Sequence, residues 1–288
     1  MSKIIVISNP KGGVGKTTTA INLAASLAIA EKKVLLVDAD PQGAASAGLG
    51  FEQQNSYTGI FEVFSGSFVS VETVHPVPET QLANLEIIPA NIFTNEREVR
   101  LMEMAKNRIR LKLKLEEIQR RSQNKYDYII IDTPPSLNDL TLASLYAANS
   151  VIVPLQCGYF ALKVMDRLFS TIERIKSSVN PSLHVEGILL NFYEKGTKAS
   201  RLSIQEARRL YPDLIFKTIV PKNTAIGYSA FMKKPVALVD ITAAGAIAYL
   251  ALAEELISRH RGEKPSLKLE ISKDIQIVEN FPSLETAI

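Results

Sequence analysis

Asn9-Pro10-Lys11-Gly12-Gly13-Val14-Gly15-Lys16-Thr17-Thr18 follows the apolar run Ile4–Ile7 and opens a segment of helical periodicity. Glycines carry no Cβ, so such a loop can turn its backbone N–H groups inward around a polyphosphate, and the next helix adds the positive end of its dipole. In that chemistry Lys16 neutralises β- and γ-phosphate oxygens, and the Thr17 hydroxyl reaches Mg²⁺. The general phosphate-loop pattern has glycine six places before Lys16, where this chain has Pro10; a second lysine, Lys11, stands before the glycine pair. The bland alternative is a glycine-rich turn without ligand. A strand before and a helix after favour the phosphate cradle.

Two further segments supply carboxylates. Asp38 and Asp40 lie just past the apolar run Val34–Val37, two residues apart, so on an extended chain both would face the phosphate end. One can order water on Mg²⁺ and the other can align the water attacking the γ-phosphate; a turn begun by Asp40-Pro41 is the competing role. Tyr128–Ile131 ends in Asp132, placed to hold Mg²⁺ through water or to cap a helix. Thr133-Pro134-Pro135 would then start a stiff loop able to sense the γ-phosphate.

The variant Lys11-Gly-Gly-x-Gly-Lys16-Thr, with Asp38-x-Asp40-Pro-Gln-Gly and Asp132-x-Pro-Pro-Ser, resembles the ParA/MinD group with its deviant phosphate loop, and within it the ParA-type partition ATPases. The likeness continues through Val153–Gln156, Tyr159–Leu162, Val220–Asn223, Lys234–Val236 and the final helix, covering about residues 3–260. It implies that Lys11 crosses a dimer interface to the partner's nucleotide, within a nucleotide-binding set of Lys11, Gly12, Gly13, Val14, Gly15, Lys16, Thr17 and Thr18. It makes Asp40 the residue that positions the hydrolytic water, with Asp38 supporting the metal and water shell. Thr17, Asp38 and Asp132 form the expected Mg²⁺ set, and Asn191, Pro221 and Asn223 the expected surroundings of the adenine. Gly158, Lys163, Gly196, Ala225 and Tyr228 depart from residues common in the family, several of them arginines tied to DNA binding.

The elements that must carry these groups are readable as an alternating series. Apolar runs at 4–7, 34–37, 85–88, 128–131, 151–155, 185–190 and 214–220 alternate with helical segments, including 20–30, 137–148 and 240–260. Strands apolar on both faces, separated by helices, predict an α/β doubly wound, mainly parallel sheet with helices on both faces. Residues 1–261 read as the ATPase domain and 262–288, with Pro265 and Pro282, as an extension.

Composition sets the outer limits. The chain of 288 residues is 46% hydrophobic with a formal charge of +3, enough for a sizeable core and permissive of nucleic-acid contact without demanding it. Its single cysteine, Cys157, excludes a disulfide framework and the paired cluster cysteines of a nitrogenase-reductase-like protein, and points to a reducing cytoplasm. The N-terminus lacks a signal-peptide pattern. His75, His184 and His260 are far apart in sequence and read as surface or packing residues.

Two basic regions stand out. Lys106, Arg110, Lys114 and Arg121 would share one face of a helix opposite Leu101, Met104, Leu111, Leu115 and Ile118, as a phosphate-binding face or as a solvated one. Lys198, Arg201, Arg208 and Arg209, with Lys222, Lys233 and Lys234, form the expected DNA-contact set in the C-terminal half. The expected protein is therefore an Mg-ATP-dependent homodimer in the cytoplasm that binds DNA nonspecifically, associates with the nucleoid, and partitions a plasmid or chromosome with a ParB-like partner. A positioning ATPase for a protein cargo is the alternative. A MinD-like membrane-cycling ATPase would need a basic C-terminal amphipathic helix, whereas residues 262–288 hold more Asp and Glu than Lys, so no membrane is expected.

Overall fold

The computed structural model describes residues 2–51, 57–66, 70–77, 80–121, 126–157 and 165–262. Eight strands, β1 (Lys3–Ile7), β2 (Val34–Asp38), β3 (His75–Pro76), β4 (Leu85–Ile88), β5 (Tyr128–Asp132), β6 (Ser150–Gln156), β7 (His184–Tyr193) and β8 (Ile215–Pro221), form one sheet in the order β3-β4-β2-β5-β1-β6-β7-β8. The seven long strands pair in parallel, as expected from their apolar runs. The two-residue β3 pairs antiparallel with β4 at one edge and is too short to leave a pattern in the sequence.

Alternation along each strand divides the core. Ile5, Ile7, Leu36 and Ile130 face α1 (Lys16–Ile29) and α11 (Ala244–Arg261), whereas Val6, Leu35, Val37, Ile129 and Ile131 face the opposite layer. That second layer contains α3 (Ile60–Ser65), α4 (Asn95–Ala105), α5 (Arg110–Arg121), α6 (Asp139–Ala147), α7 (Met165–Ser178) and α8 (Lys198–Leu210). Leu23, Leu27, Tyr249, Leu252 and Leu256 are buried between sheet and helices, so the nearly all-apolar final helix is packed as its composition requires. Short helices α2 (Ala44–Ala47), α9 (Thr224–Phe231) and α10 (Val236–Val239) complete that side.

Three expectations change. The helix expected over 240–260 starts four residues later, as α11 at Ala244, after α10 has ended at Val239. The basic segment 106–121 is not one helix, because residues 106–109 separate α4 from α5. Its cations are mostly paired: Lys106 with Glu103, Arg108 with Asp139 at 2.8 Å, and Lys114 and Arg121 with Glu117 at 2.9 and 3.1 Å. Buried Leu111, Leu115 and Ile118 anchor α5, with Lys114 and Arg121 sharing Glu117 on its other side. His184 and His260, distant in sequence, meet on one carboxylate: their Nε2 atoms lie 3.6 and 3.2 Å from Glu186 Oε2. Burial raises the Glu186 carboxyl, but hydrogen bonds from His184, His260 and Ser150 outweigh it and hold the group well below the usual range.

Candidate nucleotide site

The strand ends β1, β2 and β5 place Ile7, Asp38 and Asp132 side by side, because Asp132 registers with Ile7 on one side and Asp38 on the other. Residues 9–18 connect β1 to α1 at this edge, where doubly wound sheets bind ligands. Buried Asn9 fixes the start of the loop: its Nδ2 donates to the Pro154 carbonyl at 2.8 Å, and its Oδ1 accepts from the Lys11 N–H at 2.9 Å. Gly13 and Gly15 have φ of +72° and +89°, a left-handed conformation that turns the loop into the helix. Val14 is fully buried, and its carbonyl accepts from Asn191 Nδ2 at 3.0 Å.

Lys16 is 7% exposed, and its ammonium donates to the Lys11 carbonyl at 3.3 Å. Burial lowers its pKa, while Asp132 and Asp40 oppose the shift. Asp40, also nearly buried, accepts from the Gln42 N–H at 3.0 Å; burial raises its carboxyl, and Lys16 pulls it back. Asp132 is fully buried, and neither carboxylate oxygen meets a hydrogen-bond donor at bonding geometry. Burial and the Asp38 carboxylate push it well up, only partly offset by the Thr17 hydroxyl and Lys16. A buried carboxylate left without a partner costs several kcal/mol, roughly, unless a positive charge arrives.

A divalent cation fits that need. The available protein donors are oxygens, those of Asp132 and Thr17, matching the hard-cation preference of Mg²⁺. Among the described residues no three His, Cys, Asp or Glu side chains gather as direct metal ligands. Mg²⁺ ordinarily takes one or two protein oxygens and completes its shell with phosphate and water, so this sparse donor set suits it.

Asp38 carries a structural role as well. Its Oδ2 accepts from the Ser46 N–H at 2.8 Å and the Ser46 hydroxyl at 2.6 Å, and its Oδ1 from the Asp40 N–H at 3.3 Å. Asp38 thus braces the turn after β2, while its carboxylate stays close enough to Asp40 and Asp132 for their charges to act on one another. Burial raises its carboxyl to about 6 against the lowering pull of Ser46.

Asn191, expected against the base, is tied to the phosphate loop. Its amide nitrogen holds the phosphate loop from behind, with Thr19 Oγ1 a further 3.4 Å partner, and its Oδ1 is buried without one. The next residue, Phe192, is held at φ +57°, and its ring edge stands 3.5 Å from the point a Cβ on Gly15 would occupy. Pro221 ends β8, and Asn223 caps α9 by accepting from the Ala225 N–H at 3.1 Å. One support lacked a motif, Ser46; Thr133, at the start of the Pro134-Pro135 loop, donates its hydroxyl to the Ile7 carbonyl at 2.9 Å. The Cys157 thiol is pushed by burial up to about 11, which disfavours the reactive thiolate.

Of the proposed DNA contacts, Lys198, Arg201 and Arg208 are exposed on α8, while Arg209 pairs with Glu206 at 2.7 Å and Lys222 with Glu194 at 2.7 Å. Lys233 and Lys234 follow α9 and are half-buried. Tyr159–Leu162, Gly158, Lys163 and all of the extension beyond Gly262 lie outside the described residues.

Comparison with known proteins matches this geometry. A family model described as an AAA domain matches residues 2–185. The chain is 43% identical over 265 residues to the chromosome partitioning protein ParA of Myxococcus xanthus, covering 92% of this chain and 91% of that one. It is 40% identical over 256 residues to the sporulation initiation inhibitor protein Soj of Bacillus subtilis, covering 89% and 98%. Cobyrinic acid a,c-diamide synthase from Mycobacterium smegmatis, solved with an ATP analog and magnesium, superposes with a TM-score of 0.75 at 29% identity, covering 92% of this chain and 98% of that one. The phosphate-loop architecture and these full-length likenesses agree: the chain belongs to the ParA/Soj family of chromosome-partitioning ATPases.

Proposed function

We propose that this chain binds Mg-ATP at residues 11–18, closes as an ATP-dependent homodimer, holds nonspecific DNA, and resets on hydrolysis to move a plasmid or chromosome with a ParB-like partner. The observation that carries the reading is the partnerless, buried Asp132 carboxylate beside Lys16 under a glycine loop. Mg²⁺, held by Thr17 and Asp132, would supply neutralisation of the phosphate charge. Lys16, dry and poised between Asp40 and Asp132, adds a cation without having to shed a water shell. The loop N–H groups orient the polyphosphate, Thr17 and Asp132 hold the metal shell, and Asp40 aligns the attacking water. Lys11, half-exposed at the loop's outer edge, reaches the nucleotide of a second copy.

DNA binding follows from doubling a weak cationic surface on dimerisation, with exposed Lys198, Arg201 and Arg208 on α8 as its centre. This action belongs to the cytoplasm, at the nucleoid. No helix among the described residues is long and apolar enough to cross a membrane. The test is retention on random-sequence duplex DNA with ATP or ADP at increasing salt. ATP is expected to raise affinity at least about tenfold, and Arg201→Ala with Arg208→Ala to flatten the log–log salt slope by about 0.9 for each phosphate no longer neutralised. Equal retention with ATP and ADP would overturn the DNA-binding switch.

A further inference from the structure

Tyr249 of α11 lies in the apolar core between sheet and helices, 1% exposed, where a phenylalanine would pack as well. A hydroxyl buried in such a core costs free energy unless it finds a partner. The one it finds belongs to the helix that opens from the phosphate loop: Thr19 Oγ1 of α1 stands 3.4 Å away, across 230 residues of sequence. Burial pushes the phenol up to about 12 against an opposing pull from Thr19, so the group stays a neutral hydroxyl that can donate or accept.

Thr19, itself fully buried, holds the loop in two ways. Its N–H donates to the Gly15 carbonyl at 2.9 Å, and its hydroxyl oxygen accepts from Asn191 Nδ2 at 3.4 Å. The same Asn191 nitrogen donates to the Val14 carbonyl at 3.0 Å. An amide nitrogen carries two hydrogens, so these two acceptors use both, and Thr19 keeps a lone pair and its own hydrogen for Tyr249. The Val14 carbonyl and the Gly15 N–H belong to one planar trans peptide and point in opposite directions. A carbonyl held back toward Asn191 therefore turns the Gly15 N–H to the other, inner side of the loop.

Both ends of α11 are anchored, which gives the tyrosine a fixed station. At its start Gly245 admits Ile226 of α9 to 2.6 Å from the point a Cβ would occupy. At its end His260 stacks on Tyr128 with ring centroids 5.7 Å apart, and Arg259 donates to the Glu186 carbonyl at 3.1 Å.

We infer that Tyr249 is a positioning residue for the nucleotide: through Thr19 and Asn191 its hydroxyl sets the orientation of the Val14–Gly15 peptide, and with it one of the N–H groups that receive the polyphosphate. The inference rests on ATP binding at residues 11–18 and is independent of DNA and partner binding. Its test is a double-mutant cycle on the full-length chain, with ATP affinity by calorimetry and steady-state turnover measured on the same preparations. Tyr249→Phe and Thr19→Val are each expected to raise Kd for ATP about threefold to tenfold, with kcat at saturation within about twofold. The double variant should lose no more than either single one, and Thr19→Ser, which keeps the hydroxyl, should bind as the unsubstituted chain does. Tyr128→Phe, which removes a hydroxyl at the far end of α11, should leave Kd unchanged. Lys16→Ala separates this inference from the reading beneath it. Lost affinity in Lys16→Ala with none in Tyr249→Phe would overturn the role of Tyr249 alone, as would additive losses in the cycle or an equal loss in Tyr128→Phe. Undiminished affinity in Lys16→Ala would overturn both.

Discussion

Asn191 Nδ2 donates to the Val14 carbonyl at 3.0 Å across 177 residues of sequence, and it lies 2.8 Å from where a Cβ on Gly15 would stand. The phosphate loop is therefore clamped from behind by the end of β7, and position 15 must be glycine both for its left-handed φ and for the room Asn191 occupies. Loop geometry and the strand that bounds the expected base pocket are thus mechanically joined.

Gly15→Ala forces a Cβ into both constraints. Left-handed backbone alone costs an L-residue about 1–2 kcal/mol, and the contact with Asn191 adds to it. ATP affinity by calorimetry is expected to fall at least about tenfold. Gly66→Ala, at φ +74° with nothing within 4 Å of the new Cβ, carries the backbone strain alone and should leave affinity unchanged. Equal affinities for Gly15→Ala and the unsubstituted chain would show that the clamp does not shape the loop.

The two adjacent strand-end carboxylates should separate cleanly on amidation. Asp38→Asn turns an amide N–H toward the Ser46 donors, a penalty of about 1–3 kcal/mol, worth several degrees of melting temperature in a chain of this size. Asp132→Asn removes a buried charge that has no partner, so its melting temperature without ligand should not fall. The Mg²⁺-dependent gain in ATP affinity should instead drop at least about tenfold. Thermal melts and binding measured with and without Mg²⁺ check both. A destabilised Asp132→Asn that kept its Mg²⁺ response would reverse the assignment.

Much of this site was legible because local rules act over short spans. The alternation of apolar runs located six strands to within a residue and the seventh, β7, short by three residues at its end, and the glycine–lysine spacing located the loop, since backbone geometry at positions 12–16 leaves few residue choices. What could not be read depends on contacts between distant segments. Asp38 and Asp40 look equivalent in sequence, yet Ser46 turns one of them into a brace. Asn191 pairs with Val14 only because β7 lies in the same sheet as β1, with β6 between them. His184 and His260 converge on Glu186 only after α11 crosses the sheet. The break at 106–109 likewise separates α4 from α5 within a basic sequence that reads as continuous.

That histidine cluster gives a pH dependence with a defined sign. The hydrogen bond to Glu186 raises the His184 pKa above 6.5, so the contribution of this pair is complete below about 6.5 and disappears as pH rises through the higher folded-state value. Glu186, held low, contributes above about 4.5 and gives up that contribution only as pH falls through its depressed value. The melting-temperature difference between the unsubstituted chain and His184→Ala should be largest near pH 5.5 and shrink by pH 8.5. A difference constant across that range would mean that the imidazole contributes by packing alone.

The decisive measurement is steady-state Mg-ATP turnover of the unsubstituted chain and of Asp40→Asn, with nucleotide affinity determined on the same preparations. With Asp40 aligning the attacking water, kcat should fall at least about 100-fold while Kd for ATP stays within about threefold. Undiminished turnover by Asp40→Asn would contradict the assignment of Asp40 and require another group at this site to position the water.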